Sequence, residues 1–273
     1  MTIAAGTEVY NVDADPVLAR GLEYSVNDLN DALSGPVRAV FEDDHGQSRI
    51  KSLLDSVART DFEKGQLAAI LDEEPEPEDW RVGEAFAEVY LTDHRQCSFP
   101  WPDRWDERRR RSSLPGADLV GFEETDHVTL PFRFAFGEVK TSSEERTTQQ
   151  GTPQSPQVAY GVRDQLRYLR DSKSVRDALF QYLAHRAVNA DWQPTFQSAA
   201  RRYFSDDTDI AIFGVLIRDV TPYDTDLKNH ATTLASISPV AMRVELLAIY
   251  IPRGSIARFA DHFKSREEGN DAD

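Results

Sequence analysis

The stretch "FRFAFGEVKTSSEE", residues 132–145, begins as an apolar segment and ends in charged residues. Its three phenylalanines alternate with other residues, which is the period of a β-strand, and this predicts that they lie in the core. Glu138 and Lys140 are two residues apart, so their side chains leave the strand on the same face. Since a buried strand end avoids charged groups unless they pair or bind something, this strand end predicts a polar site.

A second strand is predicted just before it, in "DLVGFEE" (118–124). If the two strands form a hairpin centred near residue 128, Asp118 lies directly opposite Glu138. Two carboxylates this close repel each other, which raises a pKa or recruits a cation. Their hard oxygen atoms suit Mg²⁺ or Mn²⁺. Lys140 would neutralise a phosphate, or position and help activate an attacking water.

The rest of the chain predicts an α/β fold, with a mixed sheet flanked by helices. Two continuous apolar runs, "DIAIFGVLI" (209–217) and "VELLAIYIP" (244–252), have the pattern of strands covered on both faces. Apolar residues at helical spacing predict helices at 79–91, 155–171, 174–188 and 255–266.

The N-terminal part of the chain differs from the rest in its predicted secondary structure. "VNDLNDALSGPVRAVF" (26–41) and a second helical pattern over 48–71 predict a mostly helical accessory region at 1–75, with room for a short early strand. The acidic, proline-containing "DEEPEPED" (72–79) is typical of a solvated hinge. The main unit is then expected at 76–265, followed by a polar tail at 266–273.

Charge is unevenly distributed along the 273 residues, whose formal net charge is −16. The first 80 residues contain 6 Lys/Arg and 18 Asp/Glu. An acidic protein repels phosphate backbones at long range, so if this chain acts on nucleic acid, a partner is expected to deliver it.

The compartment follows from three further features of the sequence. No run of about 18 apolar residues predicts a membrane span, and the first residues lack the pattern of a signal peptide. A single cysteine, Cys97, excludes an internal disulfide. A cytoplasmic protein with no membrane partner is therefore expected.

The motif "GAD" (116–118) followed by "GEVK" (137–140) resembles the PD-(D/E)xK nuclease superfamily. The resemblance implies a restriction-endonuclease-like core that hydrolyses DNA with Mg²⁺, or with Mn²⁺ in its place. It implies that Asp118 and Glu138 are metal ligands and that Lys140 is the catalytic lysine.

The flanking helices carry further parts of the resemblance. Superfamily members often have a glutamate on the helix before the strand pair, and "VGEAFAEVYL" supplies Glu84 as a third metal ligand, with Glu88 one turn later as the alternative. In "DQLRYL", Gln165 and then Tyr168 are similar to the Gln-Tyr signature of the RecB-like branch, at a spacing one residue shorter.

The whole arrangement resembles the nuclease subunit of Hachiman anti-phage defence systems, over most of residues 76–265. The acidic front, the motifs above and the terminal "ELLAIYIPRGSIARFADHF" carry this resemblance. It implies a partner helicase that restrains the nuclease until DNA damage or phage replication is sensed, after which DNA is degraded without strong sequence preference. The chain has no GxxxxGK[ST] phosphate loop, so that motif gives it no motor of its own.

Other interpretations remain open from the residues. Glu138 and Lys140 would form a mere surface salt bridge, contributing roughly 0–1 kcal/mol. Within the superfamily, a stand-alone restriction or repair nuclease is the second possibility, and a non-catalytic interaction subunit with a nuclease-like fold is the third.

Two weaker signals complete the set. Arg108–Arg111 would hold a DNA backbone beside the site, or would only balance the acidic residues that precede them. His94, Cys97 and His127 lack a second cysteine or a zinc-ligand spacing, so no structural metal is expected there.

Overall fold

One seven-stranded sheet organises the chain. The computed structural model describes residues 2–71, 78–101, 116–147, 150, 154–236 and 238–264. Within these residues the strand order is β1-β2-β7-β6-β5-β4-β3. The strands are β1 (Thr7–Ala14), β2 (Val17–Glu23), β3 (Cys97–Trp101), β4 (Leu119–Glu124), β5 (Phe132–Ser142), β6 (Ile210–Arg218) and β7 (Arg243–Tyr250).

Helices lie between these strands along the chain. They are α1 (Val26–Ser34), α2 (Pro36–Glu42), α3 (Asp44–Asp55), α4 (Asp61–Leu71), α5 (Asp79–Arg95), α6 (Gln157–Asp171), α7 (Lys173–Ala187), α8 (Gln193–Ser205), α9 (Lys228–Ala235) and α10 (Phe259–Lys264). None of the helices in the described residues has the length and apolar content needed to span a bilayer.

The four strands β2, β7, β6 and β5 run parallel, while β1 pairs antiparallel with β2, β4 with β5 and β3 with β4. Every residue of β6 is buried, as is β7 from Val244 onward. This confirms the prediction that both strands are covered on both faces. The predicted α/β class, with a mixed sheet flanked by helices, is confirmed as well.

Two helical layers cover the sheet, and the alternation along β5 assigns each side chain to one of them. Phe134 and Phe136 pack in one core cluster with α6, α7, α8 and α9. Ala135 and Val139 pack in the other, with α1, α2 and α5. Because side chains alternate, Glu138 and Lys140 lie on the face that α6 covers, and α5 lies behind the strand.

The prediction of a mostly helical region at 1–75 needs correction at its start. Residues of β1 and β2 form a hairpin, and β2 pairs in parallel with β7. Leu29, Leu33 and Phe41 of the following helices belong to the same core cluster as α5. The described part up to Phe41 therefore shares the sheet and the core, whereas the sequence suggested only a short strand.

Three further elements were not predicted. β3 lies at the edge of the sheet, and its register shifts between Ser98 and Trp101; edge strands and bulges are the places where a proline such as Pro100 is tolerated. α8 buries Ala199, Ala200 and Tyr203, a stripe whose two small residues give a weak apolar pattern. α9 spans only eight residues, too few for a clear helical period.

Candidate active site

The β4–β5 hairpin brings the two predicted carboxylates together. Leu119 pairs with Gly137, so the same register places Asp118 opposite Glu138. The backbone N–H of Asp118 donates to the Gly137 carbonyl at 2.8 Å, which continues the ladder one step beyond the end of β4. The register predicted from a hairpin centred near residue 128 is therefore confirmed.

Lys140 lies between the two carboxylates. Its ammonium donates a hydrogen bond to Glu138 Oε1, and its Nζ is 3.6 Å from Asp118 Oδ2. The same Asp118 oxygen accepts a hydrogen bond of 2.8 Å from the Val139 N–H, which orients this carboxylate. We call Asp118, Glu138 and Lys140 the carboxylate–lysine cluster. With all three groups ionised, it carries one excess negative charge.

The surroundings of this cluster shift the pKa values of Glu138 and Lys140. Glu138 is only 3% exposed. Burial, and then the neighbouring charge of Asp118, raise the pKa of Glu138 to about 7. For Lys140, burial lowers the pKa, but the charges of Asp118, Glu138 and Glu84 outweigh it and leave the pKa raised. Lys140 therefore stays protonated near neutral pH, whereas Glu138 readily takes up a proton or a cation.

Gly214 explains why Glu138 is so deeply buried. It is the residue of β6 that pairs with Glu138. A Cβ atom there would lie 2.7 Å from Leu166 and 2.8 Å from Val162, both on α6. Because Gly214 has no side chain, α6 packs directly on the sheet beside Glu138 and excludes water from it. A glycine inside a continuous apolar run is the sequence signal for such a close approach.

Glu84 reaches the cluster from α5, on the other face of the sheet. It is half-buried, and its charge contributes to the raised pKa of Lys140, which shows that the two are within electrostatic range. Glu88, one turn later, lines a groove between α2, α5 and β3 together with Val40 and Phe99. Of the two alternatives on this helix, Glu84 is the one whose charge contributes to the raised pKa of Lys140, and the choice between them as a ligand stays a prediction.

Gln165 and Tyr168 are both exposed on α6. One flank of α6 faces α9, because Tyr160 stacks edge-on against His230. Gln165 follows Tyr160 by five residues, so its side chain leaves the helix roughly 140° away from that of Tyr160 and from the flank that faces α9. Within the described part of the chain, Gln165 makes no hydrogen bond with the carboxylate–lysine cluster. The structure thus brings together three predicted site residues, and the charge of Glu84 acts on one of them, Lys140.

The residues present fit a hard divalent cation in their chemistry. Two facing carboxylates share one ammonium, and burial together with the charge of Asp118 raises the pKa of Glu138. In the residues that the structure describes, no group of three or more His, Cys, Asp or Glu side chains is already arranged to hold a metal. Asp118 and Glu138 face each other in this geometry, and the role of these two residues and of Glu84 as metal ligands stays a prediction.

The remaining candidates lie elsewhere or make ordinary contacts. His94 contacts the Ile3 carbonyl at 3.1 Å, Cys97 is buried in the core, and the ring of His127 accepts a hydrogen bond from the Leu130 N–H. Arg108–Arg111 lie outside the described residues, so the two interpretations of this basic run both stand as predictions.

Comparison with known proteins adds no relative: no protein-family model matches the chain, and no curated protein matches it. What points to a function is therefore the set of motif residues and the geometry that the fold gives them.

Proposed function

We propose that this protein is a Mg²⁺-dependent deoxyribonuclease with a restriction-endonuclease-like core of the PD-(D/E)xK type. The observation that carries the proposal is the carboxylate–lysine cluster. Asp118 and Glu138 face each other across two paired strands, and the Lys140 ammonium is in contact with both. The arrangement unites, in one register, the three residue types on which the sequence resemblance rests.

Each residue has a role that follows from its environment. Asp118 and Glu138 would hold Mg²⁺, or Mn²⁺ in its place, with Glu84 as the third carboxylate. A bound divalent ion supplies charge neutralisation at the phosphate and lowers the pKa of a water molecule. Lys140 stays protonated because its pKa is raised. It is therefore a donor to a phosphate oxygen or to the attacking water, and not a general base.

DNA is the proposed substrate, and a partner helicase is proposed to control access to it. The net charge of −16 disfavours strong DNA capture by the isolated chain, which argues against a stand-alone restriction or repair nuclease. We infer an effector subunit of a Hachiman-like anti-phage complex in the bacterial cytoplasm. It is restrained in the complex and degrades DNA without strong sequence preference when released.

The acidic front of the chain is the proposed docking region for that helicase. Its excess of negative charge complements the basic surfaces with which a helicase binds DNA. Asp72, Glu73, Glu74 and Glu76 lie outside the described residues and are suited to charge reversal. Pull-down of the helicase by the charge-reversed chain should weaken, and wild-type association should fall with added salt. Association that is unaffected by both would exclude electrostatic docking through this stretch.

A non-catalytic interaction subunit is the competing function, and one observation favours it. Lys140 already pairs with both carboxylates, which is also what a purely structural ion cluster would do. The two functions differ in a single test: a structural cluster has no effect on DNA.

The deciding experiment is cleavage of plasmid and linear DNA by the purified chain, alone and with the helicase. Activity should require Mg²⁺ or Mn²⁺ and should vanish in EDTA. Lys140→Ala should abolish it, with a loss of at least about a hundredfold, while circular dichroism shows an intact fold. Undiminished cleavage by folded Lys140→Ala protein would overturn the assignment of the site.

A further inference from the structure

Gly83 of α5 lies unusually close to Thr141 of β5. A Cβ atom built on Gly83 would be 1.8 Å from Thr141 Oγ1 and 3.2 Å from the Thr141 Cβ. The first distance is far inside van der Waals contact, so no residue with a side chain fits here unless the helix or the strand moves. Gly83 therefore sets how near α5 comes to β5.

This contact is energetically unfavourable for both Gly83 and Thr141. Gly83 is in the interior of a 17-residue helix, where glycine is less favourable than alanine. Thr141 Oγ1 is buried and has no hydrogen-bond partner. The oxygen lies in the direction that a Cβ of Gly83 would take, which is the direction of a glycine Cα–H bond. A weak Cα–H···O contact is what remains to compensate the hydroxyl.

The neighbours of the two residues are the groups that matter for chemistry. Glu84 follows Gly83, and Lys140 precedes Thr141. The two side chains come from opposite sides of the sheet, yet the charge of Glu84 acts on Lys140. A helix held farther from the strand would carry Glu84 away from Lys140, because the Glu84 backbone moves with Gly83.

We propose that Gly83 and Thr141 form a positioning pair, which fixes the distance of Glu84 from the carboxylate–lysine cluster and thereby the affinity of the site for a divalent cation. The inference rests on the proposed function and deepens it. Neither residue touches the substrate; both act through Glu84.

The experiment compares four proteins with the wild type: Gly83→Ala, Thr141→Ala, the double variant and Gly65→Ala. Gly65 is the matched control, because it is a helical glycine with open space where a Cβ would lie. Mn²⁺ binding is measured by electron paramagnetic resonance, and the Mg²⁺ midpoint of DNA cleavage is measured in parallel. Thermal unfolding verifies that each protein is folded.

Gly83→Ala should weaken Mn²⁺ binding and raise the Mg²⁺ midpoint by about tenfold or more. Thr141→Ala removes the oxygen that the new methyl group would meet. The double variant should therefore return to within about threefold of the wild type, and Gly65→Ala should match the wild type. Rescue by a second deletion on the facing strand assigns the effect to this contact. Mn²⁺ affinities measured well below each protein's unfolding midpoint then separate a change at the site from a loss of stability.

Other outcomes would overturn the inference. Unchanged Mn²⁺ affinity in folded Gly83→Ala protein, or a double variant as impaired as Gly83→Ala, would show that the contact does not position the site. Where Gly83→Ala prevents folding, Thr141→Val tests the contact more gently, and wild-type affinity there contradicts the proposal.

The two proposals fail in different ways. A wild-type protein that binds Mn²⁺ but cleaves no DNA refutes the nuclease, while its Mn²⁺ affinities still test the positioning pair. A wild-type protein that binds no Mn²⁺ refutes both.

Discussion

Buried carboxylates occur on the two faces of the same sheet, and their surroundings differ. On the face that α6 covers is the carboxylate–lysine cluster, where two carboxylates share one ammonium. On the face that α5 covers, Glu245, fully buried, contacts Arg20, Arg95 and Arg243 at 3.1, 2.7 and 2.6 Å. Glu123, beside it, pairs with Arg133 and with the same Arg243. We call these six residues the arginine–glutamate network.

The difference is between buried carboxylates whose charge the chain compensates and carboxylates whose charge it compensates only in part. Each carboxylate of the arginine–glutamate network is met by at least two guanidinium groups, so its burial is compensated within the chain. In the carboxylate–lysine cluster two carboxylates share one ammonium, and burial together with the charge of Asp118 raises the pKa of Glu138 to about 7. A site that keeps such a deficit is suited to bind a cation that the chain does not provide.

The largest expected effect is on catalysis. Glu138→Gln keeps the shape of the side chain and removes its charge, so DNA cleavage should fall by at least about a hundredfold. Because the folded pKa of Glu138 is above its ordinary value, stability falls as the pH rises from that ordinary value to about 7, and the loss is complete above it. At a pH above that value, urea unfolding of the metal-free variant should therefore show stability equal to or higher than the wild type.

The same substitution in the network should have the opposite consequence. Glu245→Gln leaves three guanidinium groups around an uncharged amide, and the free energy of unfolding should fall by about 3 kcal/mol. Glu8→Gln is the control, because Glu8 also pairs with Arg20, at 3.9 Å, but is largely exposed. It should change stability by less than about 1 kcal/mol. A loss of stability at Glu138→Gln as large as at Glu245→Gln would remove the distinction between the cluster and the network.

The dependence on pH sharpens the comparison. A divalent cation binds the ionised form of Glu138, and the pKa of about 7 means that protons compete below that value. The Mg²⁺ midpoint for cleavage should fall about tenfold per pH unit up to roughly pH 7 and then level off. Titrations of Mg²⁺ at a series of pH values provide the measurement. A midpoint that is constant across this range would mean that Glu138 is not a ligand.

The smallest expected effect distinguishes the two glutamates of α5. Glu84→Ala should raise the Mg²⁺ midpoint by about tenfold, because its charge acts on Lys140. Glu88→Ala should stay near the wild type, since Glu88 lines the groove beside α2 and β3. Plasmid cleavage over a range of Mg²⁺ concentrations compares them. Equal, wild-type midpoints in both variants would remove α5 from the site.

The residues of the carboxylate–lysine cluster can be predicted from the sequence because their geometry is local. A hairpin pairs residues equidistant from its turn, so Asp118 and Glu138 follow from the alternation of β4 and β5 and a single assumption about the turn. The helix that carries Glu84 and the buried strands β6 and β7 can also be predicted from the sequence, since each has a long and unbroken apolar pattern. These features depend on neighbours within about 20 residues along the chain.

The features that only the tertiary structure decided are contacts between residues far apart in sequence. The hairpin of β1 and β2 joins the sheet through β7, more than two hundred residues later, and the contact of Arg20 with Glu245 exists only because of that pairing. No periodicity in either segment specifies its partner. The close approach of α5 to β5 at Gly83 also joins residues far apart in sequence. So does the packing of α6 on Gly214, which buries Glu138. They depend on the packing of whole layers, and the pKa that distinguishes this site is a property of that packing and not of any stretch of sequence.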